Sequence, residues 1–172
     1  MSTTVAERMR VRGTVQGVGF RPNVWRIAQE IGVTGSVIND ADGVLIVAVG
    51  TAAQLDELAR RVQAEPPPLA RIGAFERGRI ATPGFPDPAG FVIGPSRMGA
   101  PMTAVAPDAA ICADCAAEIV EPYARRFRYP LANCTHCGPR LAFTTGVPYD
   151  RARTTMAGYT MCKACRAEYE AP

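Results

Sequence analysis

Two hydrophobic periods alternate along the chain up to about residue 94. Residues 8 to 12 run Arg, Met, Arg, Val, Arg, the every-second-residue pattern of a half-buried strand. Val24, Ile27, Ala28 and Ile31 then fall at i, i+3, i+4 and i+7. That spacing predicts a helix from about Pro22, suited to a first turn, to Ile31, with Gly32 ending it. A second strand is expected at about 34 to 39. Asp40-Ala41-Asp42-Gly43 reads as a hairpin turn on its Asp-Gly pair, and the apolar run Val44 to Val49 as a central strand. Thr51 and Gln54 have the spacing of a capping box, ahead of a helix whose buried face is Leu55, Leu58, Ala59 and Val62. Glu65-Pro66-Pro67-Pro68 ends that helix, and strands follow at about 71 to 80 and, more briefly, at 91 to 93. The predicted order is β-α-β-β-α-β.

Composition adds a boundary. The chain has 172 residues, 48% apolar and 20% charged, enough for one ordinary globular domain or two small ones. All six cysteines lie beyond residue 111, so two units of different kinds are expected. Residues 83 to 107 carry six prolines and four glycines around the short strand. The expected division is 1–94, a Pro/Gly-rich linker over 95–107, read as a spacer with a loop draped over the first unit as the alternative, and a second unit over 108–172. A net charge of +3 names no partner. No run of about 18 apolar residues exists and the N-terminus lacks the apolar core of a signal peptide. The expectation is a cytoplasmic chain with reduced thiols and no membrane span.

The cysteines form three knuckles: Cys112-x2-Cys115, then 18 residues, Cys134-x2-Cys137, then 24 residues, Cys162-x2-Cys165. A Cys-x2-Cys turn offers two thiolates from one side of a tetrahedral zinc ion, so two knuckles complete a site. Disulfides conflict with a reducing compartment, and three knuckles are too many for a thioredoxin-type motif. Cys112, Cys115, Cys134 and Cys137 are expected to hold one structural zinc, with Cys162 and Cys165 as half a site. Another wiring, with the third knuckle joining one of the first two, stays open. His136, the only histidine, falls inside a knuckle whose sulfurs already fill the metal, so an outer or exposed role is expected. Arg125-Arg126-Phe127-Arg128-Tyr129 mixes basic and aromatic residues. Residues 108 to 172 hold eight Lys and Arg against seven acids, a poor footprint for a polyanion, so nucleic acid is an unlikely partner. The pentapeptide is expected to pack its rings on the zinc core and solvate its charges.

Between the first strand and the first helix lies Val11-Arg12-Gly13-Thr14-Val15-Gln16-Gly17-Val18-Gly19-Phe20-Arg21-Pro22. Gly13, Gly17 and Gly19 permit positive φ, and a loop of free N–H groups feeding a helix N-terminus can cradle phosphate. Arg21 at its lip adds a planar cationic fork. A tight strand-to-helix turn with an exposed arginine would look the same. The stretch resembles the signature loop of acylphosphatases, and Asn39, in Gly35-Ser36-Val37-Ile38-Asn39, matches that family's functional asparagine. The resemblance implies an α+β ferredoxin-like sandwich (βαββαβ), two helices on one face of an antiparallel sheet, in agreement with the local pattern.

The second unit is similar to the zinc-finger segment of the HypF carbamoyltransferases, through Asn133-Cys134-Thr135-His136-Cys137-Gly138-Pro139-Arg140, Pro148-Tyr149-Asp150-Arg151, Thr154-Thr155-Met156-Ala157-Gly158 and Met161-Cys162-x2-Cys165-Arg166-Ala167-Glu168-Tyr169. The first two knuckles have zinc-ribbon spacing, so a small zinc-ribbon-like segment is expected; the family pattern puts a fourth knuckle near position 184, so the second finger is expected to be cut in half. The resemblance implies hydrolysis of an acyl phosphate, most of all carbamoyl phosphate. Arg21 and the N–H groups of Gln16, Gly17, Val18, Gly19 and Phe20 would hold the phosphoryl group, and Asn39 would orient water. It also implies an entry module whose carbamate passes to further domains in nickel–iron hydrogenase maturation, with an acceptor protein reached through the full-length enzyme. A non-catalytic zinc-stapled scaffold that binds protein or nucleic acid is the reading from another class.

Overall fold

The computed structural model describes residues 4–81, 90–97, 109–134, 136–138, 141–146 and 150–170. The first unit follows the predicted order. Strand β1 (Thr4–Thr14) leads to helix α1 (Phe20–Ile31), the hairpin β2 (Thr34–Asp40) and β3 (Gly43–Thr51), helix α2 (Ala52–Ala64), β4 (Arg71–Ile80) and β5 (Phe91–Ile93). The sheet order is β4-β1-β3-β2-β5. β3 lies antiparallel between β1 and β2, which run the same way, so α1 makes a split crossover.

The predicted burial patterns of the first strand and both helices have their physical counterparts. Met9 and Val11 of β1 turn inward while Arg8, Arg10 and Arg12 take the opposite face. α1 buries Phe20, Val24, Ile27 and Ala28, and α2 buries Leu55, Leu58, Ala59 and Val62. These faces join Val44, Ile46 and Ala48 of the central strand in one core, with α1 over β2 and β5 and α2 over β3 and β1. Thr51 caps α2, with Gln54 N donating to Thr51 Oγ1 at 3.3 Å and Thr51 N donating to Gln54 Oε1 at 2.9 Å. α1 starts at Phe20 rather than Pro22, so Arg21 sits in the first helical turn.

The sheet is not antiparallel throughout. β5 pairs with β2 in parallel, because the chain reverses after β4 and crosses to the opposite edge. Beyond β5 the backbone keeps following β2: Gly94 N donates to Val37 O at 3.0 Å and Arg97 N to Asn39 O at 2.8 Å. Residues 95–97, assigned to the linker on composition, therefore run on the first unit. Most of the remaining linker lies outside the described residues.

The second unit is built of short pieces. Helix α3 (Ala113–Val120) and helix α4 (Lys163–Glu170) each begin at a knuckle, with 3-10 turns at Leu141–Phe143 and Arg151–Arg153 between them. Among the described residues, its one β-contact is the bridge Thr144↔Thr154. The basic-aromatic pentapeptide departs from expectation. Phe127 and Tyr129 are exposed, and Arg128 stands over the Phe127 ring at 5.2 Å. Arg125 and Arg126 are paired rather than solvated: both bind Glu168 of α4, and Arg126 binds Glu118 of α3 at 2.7 Å. Arg126, in the turn after α3, thus links α3 to α4, and among the described residues this segment buries few apolar side chains.

Candidate functional site

The glycine-rich loop is pinned by its apolar residues. Val15, Val18 and Phe20 are buried, and Gly17 and Gly19 take positive φ of 73° and 75° between them. Gly19 caps α1 without a side-chain hydrogen bond. Among the described residues the N–H groups of Gly17, Val18, Gly19 and Phe20 donate to no acceptor, a set of orphan donors at a helix N-terminus.

Gln16 does more than supply backbone. Its side chain is 2% exposed, and Nε2 donates to Asp40 O at 2.7 Å and Gly43 O at 2.9 Å, tying the loop to the β2–β3 turn. That turn is braced again by Arg10 on Asp40 at 2.6 Å and by the Arg12 fork on Asp42 at 2.8 and 2.7 Å. The Arg12 fork holds the Asp42 carboxyl below its usual range. Asn39, the last inward residue before the turn, is thereby fixed relative to the loop. It is 2% exposed, and its Oδ1 has no hydrogen-bond partner among the described residues, nor has Gln16 Oε1. A buried amide oxygen without a donor costs free energy unless a ligand or water supplies one.

Arg21 reaches over the same space. Its Nη1 donates to Ser96 Oγ at 3.1 Å and its Nη2 to Asp150 Oδ1 at 2.9 Å. Loop, Arg21, Asn39 and Asp150 line one cleft of about 1110 Å³, walled also by Trp25, Phe91 and the second unit. The structure thus brings Gly17, Gly19, Phe20, Arg21 and Asn39 together. Neither Ser96 nor Asp150 is among the site residues expected from the sequence, although Asp150 belongs to one of the stretches that carry the resemblance. Ser96 lay in a stretch taken for linker, and Asp150 carries no periodic or spacing signal.

The sulfur set tests zinc chemistry. The Sγ atoms of Cys112, Cys115, Cys134 and Cys137 lie within 4.8 Å of one another, with Cys112–Cys134 at 3.6 Å, Cys134–Cys137 at 3.9 Å and Cys137–Cys115 at 4.0 Å. Tetrahedral zinc with bonds of about 2.3 Å separates its sulfurs by about 3.8 Å, so the four residues fit. Burial pushes the Cys115 and Cys134 thiols up, a penalty that a bound cation would reverse. Cys162 and Cys165 form a separate knuckle, where Arg125 Nη1 donates to Cys165 Sγ at 2.8 Å. Among the described residues no third metal ligand joins them. His136 is exposed and none of the six cysteines is in a disulfide.

Comparison with known proteins agrees with this anatomy. Residues 7–93 match the acylphosphatase family and residues 111–144 the HypF finger. A carbamoyltransferase HypF of Rhodobacter capsulatus is 51% identical over 97% of this chain, which covers 22% of that protein. An acylphosphatase of Lactobacillus johnsonii is 48% identical over 37% of this chain and 71% of its own length. The crystal structure of full-length HypF in the phosphate- and nucleotide-bound form superposes with a TM-score of 0.90, at 36% identity, over 98% of this chain and 22% of that one. The chain spans about a fifth of the length of the HypF relatives it matches. Among the described residues no helix is long and apolar enough to cross a membrane.

Proposed function

This chain belongs to the acylphosphatase family, its domain joined to a HypF finger, and from that premise we propose that it hydrolyses acyl phosphates, carbamoyl phosphate foremost. One observation carries the reading: loop N–H groups without an acceptor among the described residues, the Arg21 fork and the residue Asn39, whose Oδ1 has no partner there, all line one cleft. The N–H groups and Arg21 bind the phosphoryl oxygens, whose charge builds as the leaving group departs. Asn39 Oδ1 accepts a hydrogen bond from the attacking water. The water oxygen forms the new O–P bond, and the P–O bond to the acyl group breaks. The electron pair leaves on carbamate, and the water's proton ends on phosphate or solvent. Carbamate is a weak base, so the step needs no strong general acid, and no metal ligand takes part in it.

The four-sulfur set would hold zinc, which supplies structure to the finger. Reduced thiols suit a cytoplasmic setting. Within a HypF-type carbamoyltransferase, the carbamate would pass on toward a hydrogenase-maturation acceptor.

Phosphate release from carbamoyl phosphate tests the reading. Arg21→Ala and Asn39→Ala should each lower kcat/KM by about a hundredfold or more, the scale of removing a stabiliser of developing charge. Arg21→Lys should fail as well, because a point charge cannot replace the fork. Wild-type rates in either alanine variant would remove that residue from the mechanism. No release from any acyl phosphate, with tight binding to a macromolecule, would favour a scaffold instead.

A further inference from the structure

The contact between the two units falls on the site itself. Arg21 and Asp150 are 129 residues apart in sequence, yet they are joined at 2.9 Å, with Arg21 19% and Asp150 30% exposed. Asp150 is delivered from a tightly bonded turn. Arg153 N donates to Asp150 O at 2.8 Å, and Thr154 donates to Arg151 O through N at 3.1 Å and through Oγ1 at 2.8 Å. Thr145 N donates to Arg153 O at 2.9 Å, which fastens the turn to the bridge at Thr144 and Thr154. A second contact seats the finger on the loop. Gly138, buried beside the second knuckle at φ 72°, lies so close that a Cβ there would stand 3.4 Å from Gly17 O and 3.0 Å from Leu69 Cδ1.

Resting on the acyl-phosphate reading, we infer that Asp150 is a specificity-determining residue of this site, one that accepts a hydrogen bond from the amino group of a carbamoyl substrate while it orients Arg21. Ser96 and Asp150 take one N–H each from Nη1 and Nη2, which leaves three of the five guanidinium donors for phosphate. Asp150 Oδ1 is occupied by Arg21, and among the described residues Oδ2 has no partner. Asp150 lines the cleft that receives the substrate. A substrate with an N–H beside its phosphate offers this carboxylate a partner and offsets the repulsion between two anions. A substrate with a methyl group there leaves an acceptor facing carbon. Sites built to bind an N–H reject analogues that lack it, through the group left unpaired. The part-exposed Asp150 can be reached by water, so the discrimination should be well short of the largest known.

The test is kcat/KM for carbamoyl phosphate and for acetyl phosphate on the full chain, as wild type, Asp150→Ala and Asp150→Asn. Wild type should prefer carbamoyl phosphate. The alanine variant should lose about tenfold or more of that ratio, and the asparagine variant, which keeps an acceptor oxygen, should hold part of it. Both rates come from one preparation, so a partial loss of folded protein cancels in the ratio. Zinc content of each variant checks that the finger stays formed, and the asparagine variant decides if alanine loses its zinc. An unchanged ratio in the alanine variant overturns the inference, as does a wild type without preference. An equal gain on both substrates, with tighter inhibition by phosphate, would also overturn it, since Asp150 would then only contest the anion at Arg21. A wild type that hydrolyses neither compound would sink the acyl-phosphate reading itself, a failure distinct from the other three.

Discussion

The two units are held by different physics. In the first, Met9, Phe20, Ile27, Ile46, Leu55 and Leu58 are wholly enclosed between a sheet and two helices. In the second, among the described residues, the buried apolar set is Cys115, Ala132 and Cys137, while Val120, Tyr123, Tyr159 and Tyr169 are exposed. Apolar burial is the main favourable term in folding, and among the described residues nearly all of it falls in the first unit. The second instead brings together a four-sulfur donor set and ion pairs such as Arg126 with Glu118 and Glu168. The difference teaches where each task can reside. Groups that must be preorganised, the loop and Asn39, sit on the apolar-cored unit. The unit that carries the four-sulfur set presents the Asp150 side chain to them from outside.

The largest effect that would break this contrast is loss of the metal set. Structural zinc in small fingers is bound with an apparent free energy of about 10–16 kcal/mol, and that binding is folding free energy. Cys112→Ser with Cys115→Ser should abolish tight zinc uptake and disorder the segment from residue 109 on, while the sheet stays folded. Cys162→Ser with Cys165→Ser should keep one tight zinc. Metal counting with circular dichroism checks both, and the reverse result would rewire the knuckles. A strong chelator should leave acyl-phosphate hydrolysis in place while lowering the preference for carbamoyl over acetyl phosphate. Hydrolysis that vanishes with the metal would place essential chemistry in the finger.

The opposite lesion is smaller. Ile46 of β3 is fully buried in the core that the sheet and helices share. Ile46→Ala should cost about 2–5 kcal/mol, the range for deleting a core side chain and leaving a cavity. Thermal melting should show that loss in the transition of the sheet unit, with zinc stoichiometry unchanged. A variant that loses its zinc would show that the units fold as one.

These two lesions follow the line between what was legible in the sequence and what was not. Periodic burial is a local signal, so both helices, the strand order along the chain and the Thr51–Gln54 cap could be read directly. The cysteine spacing likewise announced four converging sulfurs. Polar contacts across long separations carry no period. The pairing of Arg21 with Asp150, and of Arg125 and Arg126 with Glu168, depends on which surfaces meet after folding. Ser96 was hidden by prolines and glycines that suggest a spacer, although the backbone there runs along β2. Gln16 was read for its N–H alone, because nothing local says that its amide will span the loop and the hairpin turn.

The smallest expected effect lies at the seam. Gly138 has φ 72°, where a side chain costs about 1–2 kcal/mol in backbone strain. Its added Cβ would press Leu69 Cδ1 at 3.0 Å, the end of a flexible side chain that can move, and Gly17 O at 3.4 Å, which the loop holds still. Gly138→Ala should therefore weaken the docking of the finger on the loop by about that strain energy, without expelling zinc or melting the sheet. Hydrogen exchange should rise at the finger and hold steady in β3. If Asp150 acts from the docked finger, the same variant should also lower the carbamoyl-to-acetyl ratio, by less than Asp150→Ala does. A full loss of zinc would instead mean that Gly138 serves the knuckle, and that docking is set elsewhere.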